Sequence, residues 1–323
     1  VEERLRVLVT GAAGFVGYHV VRYLLEATDC EVVTLDRHIS IHEDLWTNHV
    51  SYDLRQPLGP GISRLIGDVD AVVNLASSSD VPTFLRDPVT HTINNVGSTL
   101  HLLDWASGRK LRSFIQLSTN EVYGPANNHD TVEWSPLVPQ TPYSASKAAQ
   151  EMLTIGYWKT YDVPVVIVNT MHVFGEYQPT RRFIPTAVQR LLADQPVTIY
   201  GQKKYTNWQS ASRQWTYAPD LAHGIHWLLT RDVARSSDGH SVPDRWNVVG
   251  TELSCLAVAQ RAAERLGKTL SVDWQSWRTA RPGYDMRYAL DDTRLRRQGY
   301  TSLYGTTVGL ERTVDWLQNR EKK

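Results

Sequence analysis

Short, mostly apolar runs punctuate the first half of the chain: Val7–Thr10, Val32–Leu35, Ala71–Leu75, Ser113–Leu117 and Val163–Val168. Unbroken runs of this length fit strands buried on both faces. Between them, Tyr18–Glu26, Pro88–Ala106 and Pro142–Tyr161 carry apolar residues at helical spacing. Strands alternating with helices of this length predict parallel pairing with helices on both faces of one sheet. Beyond residue 170 the pattern loosens. Phe183–Ala193, Leu221–Leu229 and Ser254–Leu266 read as helices, the last capped by Ser254 or Thr251, and Arg245–Val249 as a short strand. Gly201–Arg213 and Asp232–Asp244 are polar and read as irregular loops.

Composition narrows the function classes. The 323 residues suffice for one large domain or two modest ones. Lysine plus arginine equals aspartate plus glutamate, 34 each, so no global field draws nucleic acid or an anionic membrane. Cys30 and Cys255 have neither metal-ligand nor disulfide-framework spacing, which suits a reducing, cytoplasmic setting and no metal. The opening residues do not read as a signal peptide, and no apolar stretch approaches a membrane span.

Glycines at 11, 14 and 17 fall in the turn between the first strand and the first helix. Backbone without Cβ atoms lets a dinucleotide pyrophosphate approach the helix N-terminus, where free N–H groups meet negative charge. Phe15 and Val16 complete this turn. Asp36 stands nineteen positions after Gly17, at the end of the second apolar run. Its carboxylate can accept hydrogen bonds from an adenosine ribose and repel a 2′-phosphate, favouring NAD over NADP; Arg37 beside it argues the other way. The expected fold is therefore α/β: a Rossmann-type doubly wound parallel sheet over residues 1–170, then a smaller mixed α/β substrate lobe over 171–323. Segments near 213–230 are expected to return to the first domain, with the cleft between the two.

Tyr143 and Lys147 lie four apart near the start of a predicted helix, on one face and about 6 Å apart at Cα. An ammonium beside a phenol lowers the phenol's pKa. A phenol so tuned can take a proton from a sugar hydroxyl while hydride leaves the same carbon for a nicotinamide.

With these residues in view, the chain resembles the extended short-chain dehydrogenase/reductases, and among them the nucleotide-sugar (dTDP-glucose) 4,6-dehydratases of the NAD-dependent epimerase/dehydratase family. The likeness rests on L-S-T-N-E-V-Y-G (117–124), T-P-Y-S-A-S-K (141–147), F-G-E-Y-Q followed by F-I-P within 174–185, R-Q-W-T-Y-A-P-D (213–220) and R-P-G-Y-D-M-R-Y (281–288). It implies that Thr119 pairs with the sugar C4 oxygen beside Tyr143, that Lys147 holds the nicotinamide ribose, and that Glu121 removes the C5 proton. It places Asp53 and Leu54 at adenine, and Leu75, Ala76, Ser77 and Asn95 along the pyrophosphate and nicotinamide path. Ser79, His172, Arg182, Phe183, Ile184, Arg213 and Arg281 become substrate-binding candidates, Arg213 and Arg281 for a nucleotide diphosphate. The implied reaction oxidises C4, removes the C5 proton, eliminates water and returns hydride to C6. A homodimer through a four-helix bundle of 88–106 and 142–161 is also implied, with Leu100, Leu103, Met152 and Ile155 as seam candidates.

Several positions depart from the family pattern. Asn120 replaces the aspartate expected to protonate the departing C6 oxygen, and an amide cannot supply that proton. Glu121, Tyr143 or a water could do so instead; otherwise the chemistry is C4 epimerisation or decarboxylation of a nucleotide-linked uronate. A non-catalytic NAD-binding protein is a third alternative, which leaves the hydroxyl, phenol and ammonium set unexplained. His172 stands where relatives carry asparagine, and Asp80 and Pro82 replace a histidine and an aspartate of the loop facing the hexose. The 201–213 segment is longer than its counterpart, and its Tyr205 and Trp208 are candidates to wall off the ligand or merely to cover the lobe.

Overall fold

The structure, a computed structural model, describes residues 4–39, 48–126, 129–231, 242–279 and 283–321. Arg281 and nearly all of the 232–244 loop lie outside the described residues. The first half of the chain runs β1 (Arg6–Thr10), α1 (Phe15–Ala27), β2 (Glu31–Asp36), β3 (His49–Ser51), α2 (Pro60–Ile66), β4 (Ala71–Asn74), α3 (Val81–Arg86), α4 (Pro88–Ser107), β5 (Ser113–Thr119), a 3-10 turn Asn120–Tyr123, α5 (Pro142–Tyr161) and β6 (Val165–Thr170). The second half adds α6 (Phe183–Leu192), β7 (Val197–Lys204), β8 (Asn207–Ser210), β9 (Ser212–Trp215), α7 (Ala218–Leu229), β10 (Asp244–Asn247), β11 (Thr251–Ser254), α8 (Cys255–Leu266), β12 (Val272–Ser276), α9 (Thr293–Arg297) and α10 (Gly305–Glu321).

Seven strands form one parallel sheet in the order β10-β6-β5-β4-β1-β2-β3. The Rossmann-type α/β architecture follows directly from strands that are apolar on both faces. In β1, Val7 and Val9 point into the core shared with α1 and α7, while Leu8 points into the core shared with α4 and α5. Strand order reverses at β1, so the carboxyl ends of β1, β4, β5 and β6 open onto one crevice, the usual ligand site of such sheets. The second half of the chain contributes to this body: β10 is one of its two edge strands and α7 packs on α1.

A third apolar core joins α6, α8 and α10 to a small sheet β12-β7-β8 and a β9–β11 pair. Here the expectation of an irregular 201–213 loop is corrected. β7 and β8 form an antiparallel hairpin, Gly201 facing Ser210 and Lys204 facing Asn207. Its outer half is polar on both faces, so the alternation that announces a half-buried strand is missing. Tyr205 sits wholly exposed at the hairpin tip and Trp208 stacks on Trp274, 5.4 Å between centroids; neither borders the cleft. Ser254, not Thr251, caps α8, accepting from Ala257 N–H at 3.0 Å.

Candidate functional site

A cavity of about 1950 Å³ lies along the carboxyl ends of the sheet, between the two halves of the chain. Its size exceeds that of ordinary small-molecule pockets, about 300–1000 Å³, and accommodates two nucleotide-sized ligands together.

The glycine turn forms one end. Gly11 has φ +67°, and a Cβ there would meet Ala76 N at 2.7 Å; a Cβ on Gly17 would lie 2.2 Å from the Gly11 carbonyl oxygen. These positions therefore close the turn against β4 and α1, and α1 begins at Phe15 with no side chain capping its first amides. The free amides and the absent Cβ atoms fit a dinucleotide pyrophosphate. Asp36 ends β2 at the cavity wall, accepting Ala13 N–H at 3.0 Å on Oδ2 and His38 N–H at 3.0 Å on Oδ1. Arg37, Val16, Leu75, Ala76 and Ser77 line the same end. Asp53 and buried Leu54 also border it, with Arg55 holding the Asp53 carboxyl below its usual range. Asn95 borders the cavity but is fully buried, its oxygen accepting Ser78 N–H at 2.7 Å and its amide donating to the Ser78 carbonyl and the Ser146 hydroxyl. It clamps the loop after β4 onto α4 and α5.

The middle of the cavity gathers Thr119, Asn120, Glu121, Tyr143 and Lys147. Local chemistry positions each of them. Thr119 ends β5 and caps the 3-10 turn, its hydroxyl accepting Glu121 N–H at 3.3 Å. Thr141 and Ser144 form a reciprocal capping box at the start of α5, with Pro142 at its first position, which places Tyr143 in the first turn. Lys147 is buried one turn on and donates to the Leu117 carbonyl at 2.7 Å. Phe84, which the sequence did not single out, packs its ring 5.5 Å from that of Tyr143.

Electrostatics here oppose the expectation of an acidified phenol. Burial, reinforced by the Glu121 carboxylate, pushes the Tyr143 phenol well above its usual range, against the pull of Arg182 and a hydrogen bond with Thr119. Burial also pushes the Lys147 ammonium down to about 8, while Glu151 favours its charged form. At Tyr143 desolvation outweighs the Arg182 cation, and at Lys147 it outweighs the Glu151 carboxylate. Asn120 is 3 % exposed, and its amide nitrogen is buried with no hydrogen-bond partner.

The far wall comes from the second half of the chain. Its described lining residues include Arg181, Arg182, Arg190 and Arg213 and no carboxylate, an electropositive face suited to a diphosphate. Arg182 precedes α6 and donates to the Ser79 carbonyl at 3.2 Å; Arg181 pairs with Asp80 at 2.8 Å. These two contacts bridge the cleft mouth. Phe183 lines the cavity against Trp215, 5.7 Å between rings, whereas Ile184 is mostly core. His172 borders the cavity at φ +38°, a left-handed conformation uncommon outside glycine, and sets its ring edge-on to Trp215 at 5.5 Å. Arg213 is buried at the cavity floor, donating to the carbonyls of Ser212, Asp285 and Met286 and lying between the rings of Tyr284 and Tyr288. Arg213 thus fixes the 285–286 backbone as much as it faces the cavity. Arg281 lies outside the described residues. Trp215 and Arg181 were given no role in the sequence reading, although Trp215 lies inside the 213–220 motif and Arg181 between the two strings read within 174–185.

Comparison with known proteins follows the same lines. Residues 7–248 match the model described as the NAD dependent epimerase/dehydratase family. The low-salt glycan biosynthesis protein Agl12 of Haloferax volcanii is 33% identical over 320 residues, 96% of this chain and 97% of that protein. Among solved structures, the dTDP-glucose 4,6-dehydratase DesIV of Streptomyces venezuelae, with NAD bound, superimposes with TM-score 0.83 at 29% identity, covering 98% of both chains. The UDP-glucose 4-epimerase of Thermus thermophilus, in complex with NAD, gives TM-score 0.84 at 27% identity, covering 97% of this chain and 99% of that one.

Proposed function

The chain belongs to the NAD dependent epimerase/dehydratase family as an NAD-dependent enzyme, and within that family we propose that it is a nucleotide-sugar 4,6-dehydratase. The observation that carries this reading is the convergence of Thr119, Glu121, Tyr143 and Lys147 on one stretch of cavity wall, between the glycine turn and the arginine-lined face. When bound against that turn, NAD supplies a hydride acceptor for the sugar C4 and later a hydride donor for C6.

Tyr143 accepts the proton of the C4 hydroxyl, with Thr119 sharing the hydrogen bond. Burial pushes the Tyr143 phenol up, so the phenolate that this step needs has to be stabilised by positive charge; Arg182 pulls the phenol down, and Lys147, one turn along α5, lines the same cavity. The C4 ketone makes the C5 proton acidic, and Glu121 removes it. Asn120 has no proton to give, so Glu121, now neutral, passes that proton to the departing C6 oxygen, which leaves as water. Asn120 donates its buried amide to the same oxygen and orients it. Arg182 and Arg213 hold the nucleotide diphosphate; His172 faces the sugar-phosphate side.

A second reading, C4 epimerisation or uronate decarboxylation, rests on Asn120 alone, because neither needs an acid for a C6 leaving group. Incubation with a panel of nucleotide hexoses and uronates, followed by mass spectrometry, separates the two. Loss of one water from a nucleotide hexose supports the dehydratase. Unchanged mass with C4 inversion, or release of carbon dioxide, supports the alternative and removes the first reading.

We propose further that the enzyme is a homodimer. The outward face of α4 exposes Val89, Ile93 and Leu100, and Met152 on the adjoining α5 is 49% exposed. Of the expected seam residues, Leu103 is fully buried in the core and so is not available to a partner, while Ile155 is partly buried against that core.

A further inference from the structure

Behind the catalytic wall lies a second concentration of charge that the reaction above does not use. Glu151 stands one turn beyond Lys147 on α5 and is wholly buried. Its Oε2 accepts from the Arg245 guanidinium at 2.6 Å and its Oε1 from the Asn169 amide at 2.9 Å. Arg245, 1% exposed, comes from β10 and donates to the Tyr123 hydroxyl and the Glu133 carbonyl, each at 3.1 Å. The Trp134 ring covers it at 4.4 Å. The Asn169 amide also reaches the Thr119 carbonyl at 3.3 Å, and its oxygen accepts the Tyr123 hydroxyl at 3.3 Å. The network therefore touches every segment that presents a catalytic side chain: the end of β5, the 3-10 turn and α5.

A buried ion pair is weak evidence for stability, since well-packed apolar residues of similar volume commonly serve as well. Its electrostatics are specific, however. Ionisable groups lining the same cavity as Lys147 include Tyr143, Glu121, His172 and Arg182, while Glu151, Tyr123 and Glu133 gather around Arg245. Among them Glu151 is the group that favours the charged form of Lys147.

We propose that the Glu151–Arg245 pair is a positioning device for the catalytic wall. Arg245 fixes the Glu151 carboxylate one helical turn beyond Lys147, where its charge favours the ammonium, while tying α5 to the 3-10 turn and β5. Lys147's part in the reaction is taken from the dehydratase reading, but the proposal stands on a titration that needs no turnover.

The test uses full-length protein labelled with 13C at the lysine ε-carbons, with the Lys147 signal identified by its loss in Lys147→Arg. Wild type should titrate near 8. Glu151→Gln keeps the shape and removes the charge, so the midpoint should fall by about one pH unit. Glu151→Asp, which keeps the charge, should restore at least half of that fall. An unchanged or raised midpoint in folded Glu151→Gln overturns the proposal, even if thermal stability drops, because a purely structural pair would lower stability alone. Should Glu151→Gln not fold, Arg245→Gln gives the complementary reading. It leaves the buried carboxylate unheld, so the Lys147 midpoint should fall as in Glu151→Gln, and an unchanged or raised midpoint overturns the proposal.

Discussion

Tyr143→Phe removes one oxygen and leaves the ring against Phe84. Turnover should fall by about 10²- to 10⁴-fold, the usual worth of a positioned acid–base group. Thermal stability and NAD affinity should stay near wild type, as steady-state kinetics, melting curves and calorimetry can establish. Retained turnover would remove Tyr143 from the reaction. Asn120→Asp examines the departure from the family pattern. It places a second acid beside Glu121 in a pocket where the amide nitrogen has no partner. Dehydration followed by mass spectrometry should accelerate about tenfold or more, since an added general acid is worth up to about 10²–10⁴ where none exists. A slower variant would mean that Glu121 already handles the proton well and that the amide's donated hydrogen bond is what the site needs.

At the scale of elements, the capping box at the head of α5 does two jobs: it satisfies the first amides of a long helix and sets the direction in which Tyr143 leaves it. Thr141→Ala should cost about 1 kcal/mol in denaturant unfolding, with a larger loss in kcat than in substrate affinity. Equal losses in both would point to a role in stability alone. This helix was legible in the sequence because its cap, its proline and its tyrosine–lysine spacing are all local. So were β1, β2, β4, β5 and β6, whose apolar runs are buried on both faces. The three-residue β3 and the β7–β8 hairpin were not, one being too short and the other too polar to carry a period. The site divides the same way. The glycine turn, Asp36 and the Thr119–Lys147 set are strings that can be read in order. The Asp80–Arg181 bridge, the Phe84 wall and the Glu151–Arg245 pair join residues 59 to 101 positions apart, and no local pattern announces such contacts.

For the whole molecule, the proposed assembly rests on the outer faces of α4 and α5. Val89, Ile93 and Leu100 recur at helical spacing on one side of α4, at 67%, 65% and 38% exposure, and Met152 extends the strip onto α5. A contiguous apolar strip on packed helices is costly to leave in water, and in the proposed homodimer a second copy related by a twofold axis would cover it with its own identical strip. Sedimentation velocity should find wild type as a dimer and Ile93→Asp as a monomer. At so exposed a position the substitution should change the monomer's own stability by no more than about 0.5 kcal/mol. Because α5 carries Tyr143 and Lys147 at its start and Met152 on its outer side, the monomeric variant should also show a lower turnover number with NAD affinity preserved. A wild-type monomer at micromolar concentration would instead leave this strip to some other partner, and α5 would have to be held by the core and the Glu151–Arg245 pair alone.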